Sequence, residues 1–424
     1  MSSGFEIDRE AVKDDIQRTA NIGMVDSDVG VARTVLPGSP ANGQARTYLV
    51  ERMTTAGLEV STDAVGNICG RWAPPECDQT AGAVAVGSHL DSVPMGGIFD
   101  GPLGIYAGLE GVRTIKRNAR DITRPIEVVC FTGEEGTRFA NGVLGSSVSA
   151  GKRSVADALA LSDGDVTLEQ ALQDIGFRGE GRLDASEWDS WLELHVEQGR
   201  ILERANDPVG VVSSITGTTR CRVRIEGEAN HAGTTPMHER TDALAAASEL
   251  VLAVEGDARE IAVDESESAV ATVGSLTVDP GTINVVPGTV TLGIDIRDTE
   301  SSVIERMVGT VEKTCDALRR DRDVEVSLET PYEIRPQPMA ERVRGALHSG
   351  ARRMDLEPLV LHSGAGHDTM QVATVTDARM LFARSRGGHS HSPLEHTDWL
   401  DCAVATQVLT NALAELAGAE PQRN

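Results

Sequence analysis

Residues 87–104 read GSHLDSVPMGGIFDGPLG, and this stretch decides the class of fold. The apolar run Val84-Ala85-Val86 ends abruptly in a His-x-Asp pair, His89 and Asp91. A glycine turn follows, then Asp100 with Gly101 and Gly104 behind it. Imidazole and carboxylate groups at the carboxyl end of an apolar strand sit where an open α/β sheet builds its binding crevice. One such pair is a weak signal. Further segments of the same character follow along the chain, each a short apolar run that delivers His, Asp or Glu.

Outward from this stretch, Leu103–Ile115 reads as a long helix that Asp100 is placed to cap. Gln44–Ala56 reads as a helix, and Ala83–Gly87, Ile126–Thr132 and Trp191–Val196 as strands, so the chain up to about residue 212 is α/β layered. Beyond it the order changes to strand (219–226), helix (241–254), two strands (269–278, 289–297), helix (302–318) and strand (324–328). That βαββαβ order is the split ferredoxin-like unit. After Pro331 the α/β character resumes and closes on an amphipathic helix, 399–416. The expectation is a domain formed by 1–212 and 331–424, interrupted by a compact insertion at 213–330; 424 residues suffice for both.

With 65 acidic against 39 basic residues the net charge is -26, which disfavours nucleic acid and anionic membranes as partners. Only Lys13, Lys116, Lys152 and Lys313 are lysines, and aromatics make up 3%. Such a lysine-poor, acidic chain looks like a halophilic protein, kept soluble in concentrated salt. Six dispersed cysteines form no Cys-x-x-Cys pair and no disulfide framework. The polar N-terminus carries no signal-peptide core and no segment reaches the apolar length of a membrane span, so a cytoplasmic location is expected.

The segment IEVVCFTGEEGTRF delivers Glu134 and Glu135 side by side from a strand. Adjacent side chains on an extended backbone point to opposite sides, so the two carboxylates can do separate jobs. WLELHVEQG places His195 within a strand pattern, and GGHSHSPLEHTDW offers His389, His391 and His396 in a glycine-rich loop. Taken alone, these are equally a solvated acidic turn, a core histidine and surface histidines. Together they supply His89, Asp100, Glu135, His195 and His391, a donor set suited to borderline divalent ions such as Zn²⁺ or Mn²⁺. A carboxylate shared by two ions is the usual architecture of two-metal hydrolases. Glu134, beside a ligand, is then the natural general base for an attacking water, and Asp91 is placed to orient His89.

These motifs resemble those of the dinuclear-metal M20 peptidase superfamily, in its amidase branch of N-carbamoyl-L-amino-acid hydrolases, allantoate amidohydrolases and β-ureidopropionases. The resemblance runs from about residue 16 to 415 and takes in GSHLDSVPMGGIFDGPLG, EEGTRF, ELHVEQG, HAGTTPM, SGAGHD and SHSPLEHT in order. ELHVEQG and HAGTTPM point to the amidase branch. The resemblance implies metal ligation by His89, Asp100 (bridging), Glu135, His195 and His391, with Glu134 as general base and Asp91 as orienting residue. It implies that His231, in the inserted lid and dimerisation domain, polarises the scissile carbonyl. Asn284 and Arg297 resemble the pair that grips a substrate carboxylate, although Arg297 can equally pair with Asp295 or Asp298. Gln198 and the loop Gly364–His367, with Gly366 and His367, would line the same pocket. Two departures stand out: His389 is an additional imidazole, and Thr369 replaces a small apolar residue next to the substrate loop.

The expected activity is hydrolysis of an N-carbamoyl-L-amino acid to amino acid, ammonia and carbon dioxide, with allantoate as alternative substrate and an aminoacylase or dipeptidase third. The cofactor would be two divalent ions, Zn²⁺ or Mn²⁺, with Co²⁺ or Ni²⁺ also accommodated. The partner would be a second copy of the chain, joined through the insertion. A binding protein without activity would have no use for Glu134 beside five ligands.

Overall fold

The computed structural model describes residues 5–139 and 142–421. They fall into two units, Met1–Ser213 with Met339–Asn424, and Ser214–Pro338. The sequence placed the outgoing boundary near residue 330. It lies further on because the last strand of the insertion runs to Ile334 rather than 328.

The first unit is built on a mixed sheet. Its strands are β1 (Glu59–Thr62), β2 (Ile68–Trp72), β3 (Val84–His89), β4 (Ile126–Phe131), β5 (Ser190–Val196) and β6 (Val209–Ile215). After the insertion the chain adds β11 (Leu359–Ser363), which pairs with β6, and β12 (Asp377–Ala383), and the main spatial order is β6-β12-β5-β3-β4-β2-β1. The central four, β12, β5, β3 and β4, are mutually parallel, and antiparallel strands flank them. Every residue of β3, β4 and β5 is buried, which is why these strands read as near-continuous apolar runs. Alternate residues serve opposite faces. Val84, Val86, Val128, Cys130, Leu192 and Leu194 pack in the main core with Leu109, Val112, Val408 and Leu409. Ala85, Val129, Phe131 and Trp191 instead meet Trp188 and Val372.

Of the helices, Pro40–Thr55 starts earlier than its apolar pattern, because Ser39 caps it and Pro40 opens its first turn. Pro102–Asn118 begins at Gly101, not Asp100, and has no side-chain cap. The Asp100 carboxylate is engaged elsewhere, as described below. All six cysteines are buried and unpaired, Cys130 within β4.

The second unit has the element order read from the sequence: β7 (Gly217–Glu226), a helix (Ala243–Asp264), β8 (Val270–Asp279), β9 (Thr289–Asp298), a helix (Ser301–Asp321) and β10 (Glu325–Ile334). Its sheet is antiparallel throughout, in the order β8-β9-β7-β10. Cys221, Val223, Ile225, Leu292 and Ile294 face the helix residues Leu250, Val254, Met307 and Val311. The other face carries exposed Arg220, Arg222 and Arg224, and β8 leaves an edge with Val270 and Leu276 exposed.

Candidate metal centre

Three adjacent parallel strands deliver their functional groups at their carboxyl ends, the position where such sheets build sites. His89 is the last residue of β3, His195 lies one residue from the end of β5, and Glu134 and Glu135 follow β4 in a tight turn. The His89 and His195 rings stack with centroids 5.9 Å apart. His89 Nδ1 lies 3.1 Å from the Asp91 carbonyl oxygen, and His195 Nδ1 lies 3.0 Å from that of Val196. A carbonyl only accepts, so Nδ1 carries the proton and, in the neutral ring, Nε2 presents its lone pair. Both Nε2 atoms face Asp100 Oδ1, at 3.4 Å and 3.2 Å.

Asp100 is the hub. Its Oδ2 lies 3.7 Å from His391 Nε2, and that nitrogen lies 3.2 Å from Glu135 Oε2. Two donor groups result, His89–Asp100–His195 and Asp100–Glu135–His391, each with ligand atoms within 4.8 Å of one another and with Asp100 common to both. Gly101 makes this possible. Its φ is +81°, and a Cβ there would lie 2.5 Å from the His89 carbonyl oxygen and 2.7 Å from its ring.

The electrostatics match a cation site. Burial alone would raise the Asp100 carboxyl, but His195 and His89 override it and hold it well below the usual range. Burial likewise opposes protonation of His89, yet Glu134, Asp100 and Asp91 drive its pKa well up. The hydrogen bond His391 donates to the Glu135 carboxylate raises its pKa to about 9. Buried His89 Nε2 has no hydrogen-bond partner. Three imidazoles and two carboxylates around such an atom fit two borderline divalent ions. Glu134 belongs to neither donor group; burial, opposed by His89 and reinforced by Glu135, pushes its carboxyl well above the ordinary range. Its Oε2 lies 3.7 Å from His89 Nε2.

Several positions differ from their sequence reading. The Asp91 carboxylate does not hold the imidazole, from which it stands 3.8 Å away. It accepts instead from the backbone N–H groups of Gly133, Glu134 and Glu135 at 3.2 to 3.3 Å, clamping the acidic turn, while its main-chain carbonyl orients His89. Gln198, expected to bind substrate, donates from Nε2 to Asp100 Oδ2 at 2.7 Å. His367 is buried against His195, ring centroids 4.5 Å apart, with Nε2 2.9 Å from Ser363 Oγ; burial and the neighbouring His195 hold its pKa well down. Gly366 is exposed, and a Cβ there would meet only Met370 Sδ at 4.0 Å. Exposed His389 joins neither donor group.

Thr369 turns away from solvent. Its hydroxyl donates to Glu193 Oε2 at 2.6 Å and accepts from Trp191 Nε1 at 2.7 Å, and Ser88 Oγ donates to Glu193 Oε1 at 2.8 Å. The sequence reading passed over Glu193, although ELHVEQG contains it two residues before His195 on the same face of β5. It also passed over Glu395, whose Oε1 accepts from the backbone N–H of Phe99 and Asp100; burial and Asp100 raise its carboxyl to about 7.

In the second unit, His231 and Asn284 come together. Two short strands pair His231 with Val285, and the Asn284 carbonyl accepts from Ala232 N at 3.0 Å. His231 Nδ1 accepts from the N–H groups of Gly233 and Thr234, so the neutral ring carries its proton on Nε2 as an outward donor. Arg297 is not with them. It pairs with Thr218 at the far end of β9 and holds Asp295, Nε to Oδ1 2.7 Å, the alternative its sequence left open. From Thr289, at the His231 end, to Arg297 the strand spans roughly 27 Å at about 3.4 Å per residue.

A mixed sheet with histidines and carboxylates at the ends of its parallel strands, in a chain interrupted by a compact antiparallel unit, defines the class as a two-unit α/β protein with a candidate metal centre. Residues 85–415 match the profile of Peptidase family M20/M25/M40, and the chain belongs to that family. It is 37% identical over 409 residues to the N-carbamoyl-L-amino acid amidohydrolase of Geobacillus stearothermophilus, covering 95% of this chain and 98% of that one. It is 33% identical over 419 residues to allantoate deiminase 1 of Glycine max, covering 90% and 84%. Among solved structures, an amidase of the hydantoinase/carbamoylase family from Burkholderia multivorans superposes with a TM-score of 0.90 at 31% identity, over 99% and 100% of the two chains.

Proposed function

We propose that this protein is a metal-dependent amidohydrolase that cleaves the carbamoyl C–N bond of N-carbamoyl-L-amino acids, releasing amino acid, ammonia and carbon dioxide. The observation that carries the reading is a largely enclosed carboxyl, Glu134, its side chain 10% exposed, beside two histidine–carboxylate groups that share Asp100. The names of the bacterial and plant relatives supply the substrate class. His89, Asp100 and His195 would hold one divalent ion, Zn²⁺ or Mn²⁺, and Asp100, Glu135 and His391 the second. Such ions, when bound, act as Lewis acids and make a nucleophile available at neutral pH. Glu134 takes the proton of the attacking water and returns it to the leaving nitrogen. Its raised pKa suits a group that must hold that proton between the two steps. Asp91 keeps the Glu134 turn in place, and Gln198 steadies Asp100.

The inserted unit serves as lid and dimerisation surface in this proposal. The Nε2–H of His231 stabilises the developing oxyanion, and Arg297 grips the substrate carboxylate. A cytoplasmic, salt-adapted homodimer completes the reading, and among the described residues no helix is long and apolar enough to cross a membrane. Allantoate is the second substrate, favoured by the plant relative; it too presents a ureido nitrogen beside a carboxylate. An assay separates the two: ammonia from carbamoyl amino acids, or ureidoglycolate from allantoate. Absence of both, with release of amino acid from acylated or dipeptide substrates, would overturn the proposal.

A further inference from the structure

We propose that Glu395 is a positioning residue that bolts the Asp100 loop to the loop carrying His391 and so keeps Asp100 within reach of both donor groups. The inference rests on the metal-dependent reading above and deepens it. A shared carboxylate must aim two oxygens in two fixed directions, yet Asp100 belongs to no strand or helix. Its loop therefore needs an external fixing.

Glu395 supplies one at both levels. Its buried carboxylate accepts from Phe99 N at 2.8 Å and Asp100 N at 3.1 Å through the same Oε1, holding the main chain of Asp100 itself. Its Oε2 lies 3.3 Å from Ser390 Oγ, and that hydroxyl donates to Asp100 Oδ2 at 2.9 Å. Ser390 is the residue before His391, so one side chain touches both loops that meet at the shared ligand. Fully buried Arg33 completes the fixture: Nε donates to Gly97 O at 3.1 Å and Nη2 to Asp100 O at 3.5 Å, with the Glu395 charge close by.

The fold leaves room for this carboxylate specifically. A Cβ at Gly97 would lie 2.2 Å from Glu395 Oε1 and 2.3 Å from its Cδ. Alanine at 97 would therefore evict the same group that alanine at 395 would delete.

The test compares wild type, Glu395→Ala, Glu395→Gln and Gly97→Ala. Mn²⁺ affinity of metal-stripped protein is measured against a chromophoric chelator. Hydrogen exchange at the Phe99 and Asp100 amides is followed in the metal-free state. Glu395→Ala and Gly97→Ala should each weaken Mn²⁺ binding by about 10–100-fold, the usual cost of losing a group behind a ligand, and should unprotect both amides. Glu395→Gln retains the accepting oxygen and should stay near wild type in both readouts. The proposal is overturned if Glu395→Ala or Gly97→Ala binds Mn²⁺ as tightly as wild type, or if Glu395→Gln falls as far as Glu395→Ala. If Glu395→Ala does not fold, the glutamine and Gly97 variants carry the test. A wild-type protein without Mn²⁺ affinity would instead sink the metal-dependent reading, and the amide exchange would still judge the bolt.

Discussion

Mixing two inactive variants, Glu134→Gln and His231→Ala, asks whether His231 serves its own chain's metal centre or that of a second copy. The structure supplies a reason to expect that a second copy contributes one of the substrate groups. His231 with Asn284 lies beyond the Thr289 end of β9 and Arg297 lies at the other, roughly 27 Å away at about 3.4 Å per residue. A carbamoyl amino acid spans far less. One chain therefore cannot bring both groups to a single substrate, and if both act on it, one comes from a partner. A twofold-symmetric pair makes such an exchange reciprocal. The second unit offers surfaces for it, with the β8 edge open and Leu252 and Val263 exposed on its first helix. In a mixed dimer the chain that keeps Glu134 would receive His231 from the Glu134→Gln chain, giving one working site of two. Equal mixing with free exchange makes about half the dimers mixed, so ammonia release should recover to about a quarter of wild type per chain. No recovery, with subunit exchange verified by mass spectrometry, would put His231 in cis, and any contact of Arg297 with that substrate would then have to come from the partner. A monomer by light scattering would remove the dimer altogether.

Glu134→Gln alone should lower kcat by about 10²–10⁴-fold with metal content intact, and loss of metal in the variant would make Glu134 a ligand instead. Gly101→Ala should cost about 1–3 kcal/mol of stability and weaken metal binding, since φ is +81° and the new Cβ meets His89; unchanged melting and affinity would refute the packing argument. Thr369→Val leaves buried Trp191 Nε1 unsatisfied, at about 1–3 kcal/mol, while Glu193 keeps the Thr369 N–H, and should lower Tm without changing substrate preference. A shift in preference would restore Thr369 to the pocket. Finally, with a net charge of -26, Tm should climb steeply with KCl as the Debye length falls from about 30 Å at 0.01 M to about 3 Å at 1 M; a flat curve would end the salt-adapted reading.

What the sequence reveals of the site, and what it hides, divides along a physical line. His89, Glu135 and His195 are legible because each stands at the end of a buried strand, and strand direction aims such ends at one edge of a parallel sheet. Asp91 and Gln198 are legible as site residues but their hydrogen-bond partners are not, because loop geometry decides whether a carboxylate faces an imidazole or three backbone amides. Glu395 is hidden for the same reason; its partners lie nearly 300 residues away in sequence. Asn284 and Arg297, implied by the resemblance as a pair that grips a substrate carboxylate, stand at opposite ends of β9, with Asn284 before its first residue and Arg297 near its last. Proximity along an extended strand is separation in space, at about 3.4 Å per step. If the pair serves one substrate, the sheet of another molecule must supply the missing end, so the length of β9 is the physical argument for two chains at one site.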